Sequence, residues 1–183
     1  MRVAATVAAA WLLLGVPATA AGIPEASRER AARLHGWRAA LAAAERARDA
    51  GRWGEAERIY SGLVREARDA GDEGLLTARA IDGLADTCRG AERLEEARRL
   101  YAESAVMWER LLGPDQPRLA TTLHHLGLVE WRLKRRDEAS RHLSRALAIF
   151  ESALGRASPE ARNTRRLLDR VYEPAEAETT GTR

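Results

Sequence analysis

A short phrase recurs three times at a nearly constant interval. Arg52-Trp53-Gly54-Glu55-Ala56 returns as Arg93-Leu94-Glu95-Glu96-Ala97 and again as Arg135-Arg136-Asp137-Glu138-Ala139, so the Glu-Ala pair advances by 41 residues and then by 42. A period in this range marks a stacked repeat, whose units bury their apolar faces only against one another. The last two units align over most of their length at an offset of 42. Leu84 maps to Leu126, Arg99 to Arg141, Glu109 to Glu151, Gly113 to Gly155 and Pro117 to Pro159.

Each unit holds two apolar-periodic stretches separated by a polar break, which reads as a pair of antiparallel helices. The ends of the units are punctuated. In Leu112-Gly113-Pro114-Asp115-Gln116-Pro117 the glycine stops one helix, and Pro117 sits where the next can begin. Leu154-Gly155-Arg156-Ala157-Ser158-Pro159 repeats this with Ser158 as the cap, and Ala70-Gly71-Asp72-Glu73-Gly74 divides the first unit from the second. The pattern predicts helices over about 25–50, 54–69, 74–90, 94–112, 118–134, 136–154 and 159–172. The last has Leu167, Leu168 and Val171 on one side and Arg162, Arg165, Arg166 and Asp169 elsewhere, which suits a helix closing the end of a stack. Abundant Ala, Leu, Arg and Glu, with little Ile, Thr or Phe, favours an all-α chain.

The units resemble tetratricopeptide repeats of the longer kind found in kinesin light chain-like proteins. The family pattern W-x2-L-G-x2-Y followed by A-x3-F is met by Leu123-x2-Leu126-Gly127-x2-Glu130 and Ala139-x3-Leu143 in the third unit. The second reads Ile81-x2-Leu84-Ala85-x2-Cys88 and Ala97-x3-Tyr101, and the first Ala40-x2-Ala43-Ala44-x2-Ala47 and Ala56-x3-Tyr60. The resemblance implies a right-handed α-solenoid of about three helix-turn-helix units plus a C-terminal capping helix. The implied organisation is a signal peptide over 1–20, a helical lead-in over 21–36 and a repeat domain over 37–172, followed by a disordered tail over 173–183. Within the domain the units span about 37–72, 74–115 and 117–157, with the capping helix at 159–172. Two departures stand out. Glu130 replaces an aromatic, and a buried carboxylate needs solvent or a cation such as Arg135. The first unit is alanine-rich and lacks the Leu-Gly pair.

In this family the first helices line the concave face, where ligands bind. The matching positions are Arg38, Leu41, Glu45 and Arg48 in the first unit, and Arg79, Asp82, Asp86 and Arg89 in the second. The third contributes Thr121, His124, Leu128, Trp131 and Arg132, and the last helix Asn163, Arg166 and Arg170. Trp131 has two readings, a binding hot spot beside Arg132 or packing against the neighbouring helix. Leu41 and Glu45 stand where some members carry the Lys and Asn that hold a terminal carboxylate, so binding of chaperone tails of that type is not expected.

Chemistry finds little support in the sequence. His124 and His125 are adjacent and point apart on a helix, and no Cys or carboxylate stands at ligand spacing to complete a site with His142. Cys88, the single cysteine, falls at a core position, where a thiol behaves as a small apolar group. Gly-rich phosphate loops, G-x-S-x-G elbows and H-E-x-x-H are missing. A net charge of +3, with Arg and Glu alternating, gives no basic stripe for nucleic acid.

At the N-terminus, Met1-Arg2, the apolar run Val3 to Val16, Pro17 and Ala18-Thr19-Ala20 form a secretory signal with cleavage expected after Ala20. The alternative is an uncleaved anchor that tethers the chain to a membrane. The reading is an exported adaptor or scaffold, periplasmic or secreted, that binds a protein or peptide, with no enzyme activity, cofactor or metal. The alternatives are a self-associating envelope protein, pairing through Trp37, Trp53 or Trp108, and a metal or thiol protein using His124, His142 or Cys88.

Overall fold

The structure, a computed structural model, describes residues 24–173. The signal segment 1–20 and the tail from 174 onward lie outside the described residues. The chain divides into two units, residues 1–36 and 37–183. In the first, the described part is the start of helix α1 (Glu25–Asp49), with Leu34 exposed.

The second unit is an all-α, right-handed solenoid built from helix-turn-helix pairs. After α1 come α2 (Trp53–Ala70), α3 (Leu75–Gly90), α4 (Leu94–Leu112), α5 (Pro117–Arg132), α6 (Arg136–Leu154) and α7 (Pro159–Tyr172). Consecutive helices from α2 to α7 pack on one another, and α5 also meets α7.

The recurring phrase is a helix start. Arg52, Arg93 and Arg135 precede the second helix of each pair with no side-chain cap bond of their own. Each instead reaches the Glu three residues on, at 2.7 Å for Arg52–Glu55, 3.2 Å for Arg93–Glu96 and 3.2 Å for Arg135–Glu138. A carboxylate in the first turn faces the positive end of the helix dipole. Glu138 also accepts from its own backbone N–H, and this bond, with Arg135, holds its pKa below the usual range.

The turns between paired helices share one geometry. Residues Gly51, Glu92 and Lys134 all adopt left-handed φ, at 70°, 63° and 64°. The next residue's N–H returns to the carbonyl five back, as in Arg52 to Ala47, Arg93 to Cys88 and Arg135 to Glu130. This turn ends α5 at Arg132, two residues short of the expected 134. Only the first unit supplies the glycine that such a turn favours, so periodicity alone ran past the stop.

Ala56, Ala97 and Ala139 are fully buried where paired helices cross. A Cβ on Gly127 would stand 2.6 Å from Leu143 Cγ and 3.2 Å from the Ala139 carbonyl oxygen, so α5 and α6 touch there at backbone range. Between units, Tyr60 of α2 lies on Gly83 of α3, where a Cβ would come within 2.3 Å of the ring. One repeat later Tyr101 meets His125, ring centroids 5.7 Å apart. After another repeat Leu143 packs with Leu167 and Val171 in the closing cluster. Ser158 caps α7, accepting from Ala161 N–H at 3.3 Å.

Candidate functional site

Of the sixteen positions carried over from the family, all but Arg132 fall into rows across the units, because each row advances by one repeat. The row Arg38, Arg79, Thr121, Asn163 is followed by Leu41, Asp82, His124, Arg166, then by Glu45, Asp86, Leu128, Arg170, and then by Arg48, Arg89, Trp131. Neighbouring first helices join these rows. Arg79 of α3 donates to Glu45 of α1 at 2.6 Å, and Arg48 of α1 to Asp86 of α3 at 3.3 Å. Arg170 of α7 stacks over the Trp131 ring of α5, 4.5 Å from its centroid. Arg132 pairs with Glu92 in the turn after α3.

Two of the sixteen are interior. Leu41 is 1% exposed and belongs to the core. Asp82 is 6% exposed and accepts from Trp108 Nε1 at 2.8 Å, Arg118 Nη2 at 2.8 Å and Thr122 Oγ1 at 3.1 Å. Burial pushes its pKa up, against the pull of Arg118, Trp108 and Thr122. It is a structural knot tying α3 to α4 and α5.

Asp86 is the centre of the face. The Tyr101 hydroxyl donates to it at 2.5 Å, Arg89 donates at 2.9 Å, and His125 Nδ1 stands 3.6 Å away. Burial alone would raise its pKa. His125, Tyr101 and Arg89 outweigh burial and hold the carboxyl below its ordinary value. His125 is itself shifted down, chiefly by burial, so at neutral pH its contact with Asp86 is not a full ion pair.

His124 lies on Thr164 of α7, Nδ1 to Oγ1 2.9 Å. Thr164 spends its proton on the Glu160 carbonyl at 2.8 Å, so its oxygen accepts from His124 and fixes the Nδ1–H tautomer. Burial, then the charges of His125 and Arg89, push the His124 pKa down to about 4. Beside it lies a cleft of about 180 Å³ between α5, α6 and α7, lined by Thr121, His124, His125, Phe150, Asn163 and Thr164 among others. Leu128 and Trp131 are half-buried and pack against the cluster of Ala139, Leu143, Leu167 and Val171. Trp131 therefore packs, while also carrying Arg170.

Glu130 is 2% exposed, and its partner is His142 Nδ1 at 2.7 Å rather than Arg135, which is taken by Glu138 and lies near Glu95. Trp37 and Trp108 are buried, and Trp53 is half-buried with its ring on Gly90. Cys88 is buried and unbridged, and burial pushes its thiol up to about 11. Among the described residues no three of His, Cys, Asp and Glu group closely enough to hold a metal ion.

Residues 83–152 match the family model for the tetratricopeptide repeat. The units within this span are tetratricopeptide repeats. BtubC (BKLC) from P. vanneervenii superposes with a TM-score of 0.62 at 26% identity, over 67% of this chain and 49% of that one. A putative kinesin light chain of nearly identical TPR-like repeats from Podosopora anserina gives 0.66 at 20%, over 74% and 64%. The chain thus spans about half to two thirds of these two structures. PcrH, solved in complex with the chaperone binding region of PopD, gives 0.57 at 20%, over 82% and 94%. At 20% identity these tetratricopeptide likenesses are likenesses of fold. None of the curated proteins matches the sequence.

The tetratricopeptide frame accounts for the rows. Tyr101, Arg118, His125 and Glu92 join the site through Asp86, Asp82 and Arg132, partners that the sequence pattern did not assign to them.

Proposed function

We infer that the chain is an adaptor that takes a protein or peptide along its first-helix face, without chemistry of its own. The observation that carries this is the change of character along that face. Across α1 and α3 the charges of Glu45, Arg48, Arg79, Asp86 and Arg89 are spent on one another, whereas from α5 to α7 half-buried Leu128 and Trp131 adjoin the open cleft at Thr121, His124 and Asn163. Apolar side chains beside a small, mainly apolar cleft with a few polar groups are what a peptide side chain needs for anchoring and orientation. PcrH, with a similar fold, was solved holding a peptide region of PopD, which agrees with such a use. A neutral, bonded His124 and a buried Cys88 with a raised pKa are poor acids, bases or nucleophiles, which supports a binding role.

The reading includes export through the 1–20 segment to the periplasm or beyond, with a tethered form if that segment stays attached. No helix among the described residues is long and apolar enough to cross a membrane. The test is affinity capture from envelope and secreted fractions, with the chain and a Thr121→Arg variant as baits. Thr121 is half-buried at the cleft, and a longer cation there obstructs it without opening the core. A partner retained by the chain and lost by the variant, at unchanged helicity, is the expected result. Equal retention would place binding elsewhere.

A further inference from the structure

Three arginines of α7 lack the carboxylate partner that several arginines of the other first helices have. Arg48, Arg79, Arg118 and Arg132 each meet a carboxylate. Arg162, Arg166 and Arg170 are all exposed and, among the described residues, none has a carboxylate partner. Arg166 donates to the Asn163 side-chain oxygen at 2.5 Å and Arg170 rests on Trp131. A concavity of about 450 Å³ lies against this helix, lined by Pro159, Arg162, Asn163, Arg165, Arg166 and Asp169. Of the charges there, Arg165 is held by Glu151, which leaves Asp169 as the one acidic group against the arginine series.

The positions explain the opening. Arg162, Arg165 and Asp169 stand one repeat after Ala120, Leu123 and Gly127, which in α5 are buried. The side that receives a companion helix in the third unit is therefore polar on α7, and no described helix covers it. The unpaired Arg162, Arg166 and Arg170, the last two on the first-helix face, are four residues apart, a rise of about 6 Å. Alternate side chains of an extended strand are about 6.6 Å apart on one side. Carboxylates at every second residue of an extended peptide thus match successive guanidiniums in spacing as well as in charge.

Resting on the adaptor reading above, we propose that the partner docks on α7 through an extended acidic stretch with Asp or Glu at alternate positions. The probe is a fluorescein-labelled, acetylated and amidated Gly-Glu-Ala-Glu-Ala-Glu-Gly peptide, read by anisotropy beside its Gln counterpart. The Glu peptide is expected to bind about tenfold tighter than the Gln peptide, and more weakly as salt rises. Arg162→Gln/Arg166→Gln/Arg170→Gln is expected to remove that preference, while Arg99→Gln/Arg141→Gln, two exposed arginines on α4 and α6, keeps it. Equal binding of both peptides, or equal loss in both variants, overturns the proposal. The chain itself carries Glu176-Ala177-Glu178. Glu-peptide binding that emerges only in Glu176→Gln/Glu178→Gln would assign the face to this segment and overturn an external occupant. A captured partner that Thr121→Arg loses, with no Glu-peptide binding, would overturn the acidic class and leave the adaptor reading intact.

Discussion

Tyr60 and Tyr101 occupy the same place in successive repeats, yet removing the same atom from each should change stability in opposite directions. Both rings are essentially fully buried. The Tyr101 hydroxyl donates to Asp86 at 2.5 Å and accepts from Arg89 Nε at 3.1 Å. Among the described residues the Tyr60 hydroxyl is the buried side-chain polar atom with no hydrogen-bond partner. The cause is one methylene. Glu45 stands where the second unit has Asp86, and its longer side chain reaches forward to Arg79 instead of back to the phenol. Hydrogen bonds to charged groups contribute about 1.5–3 kcal/mol, so Tyr101→Phe should cost about 2 kcal/mol. A buried hydroxyl left unsatisfied costs about 1–3 kcal/mol, so Tyr60→Phe should gain about 1 kcal/mol. Thermal melts at neutral pH read both changes. At about 3 °C per kcal/mol for a domain of this size, Tm should fall by about 6 °C in the first variant and rise by about 3 °C in the second. A comparable fall in both would mean that Tyr60 has a partner in solution, and no change in Tyr101→Phe would mean that the Asp86 cluster adds nothing. A cycle with Asp86→Asn separates the Tyr101–Asp86 coupling from the loss of the hydroxyl alone.

Lys134→Gly should stabilise by about 1 kcal/mol, measured in urea melts, because Lys134 sits at φ 64°. Glu92→Gly should gain less, since Glu92 also holds Arg132. Gly83→Ala should cost about 1–3 kcal/mol, because the new methyl would meet the Tyr60 ring at 2.3 Å with both elements packed. Stability should also fall with acid. His124 is pushed down to about 4 in the folded chain, against about 6.5 unfolded, so the unfolded state takes the proton first. This stability is fully present above about pH 6.5 and lost as pH falls toward 4, at most about 2 kcal/mol between pH 7.5 and 5. His124→Asn keeps a donor for Thr164 and should flatten that slope in urea melts at the two pH values.

The helices were legible because the stops are written in Gly and Pro. Gly113 and Gly155 adopt φ of 93° and 90°, and Pro117 and Pro159 open the following helices. The turn at Lys134 was not, since a lysine carries no sign that it will accept a left-handed backbone. The candidate site was legible as rows, because the family pattern sets which side of each first helix turns inward. Its pairing was not. Whether Glu45 meets Arg79 or Tyr60 depends on side-chain length at one crossing, and Glu130 meets His142 through a rotation between α5 and α6 that repeat spacing does not encode. Leu41 and Asp82 share a row with Arg166, but neighbouring units cover the first two and nothing described covers the last.

The pairing bears on specificity more than on stability. Glu45–Arg79 and Arg132–Glu92 are largely exposed pairs, a class worth only about 0–1 kcal/mol each. What such pairs do is satisfy those particular charges of α1, α3 and α5 before any partner arrives. A charged ligand on that stretch would have to break a bond for each one it forms, and would gain little from the exchange. On α7 the same ligand displaces only solvent, a neutral amide or a ring face. The cleft at His124, whose lining includes Glu160, adjoins that end, and Asn163 of α7 borders both, so little ordering of the protein is needed on binding. The gradient from paired to unpaired charge is thus itself a directional signal, and it sets where along the face a peptide would engage. In the proposed docking mode, acidic residues would meet α7 and apolar ones Leu128 and Trp131.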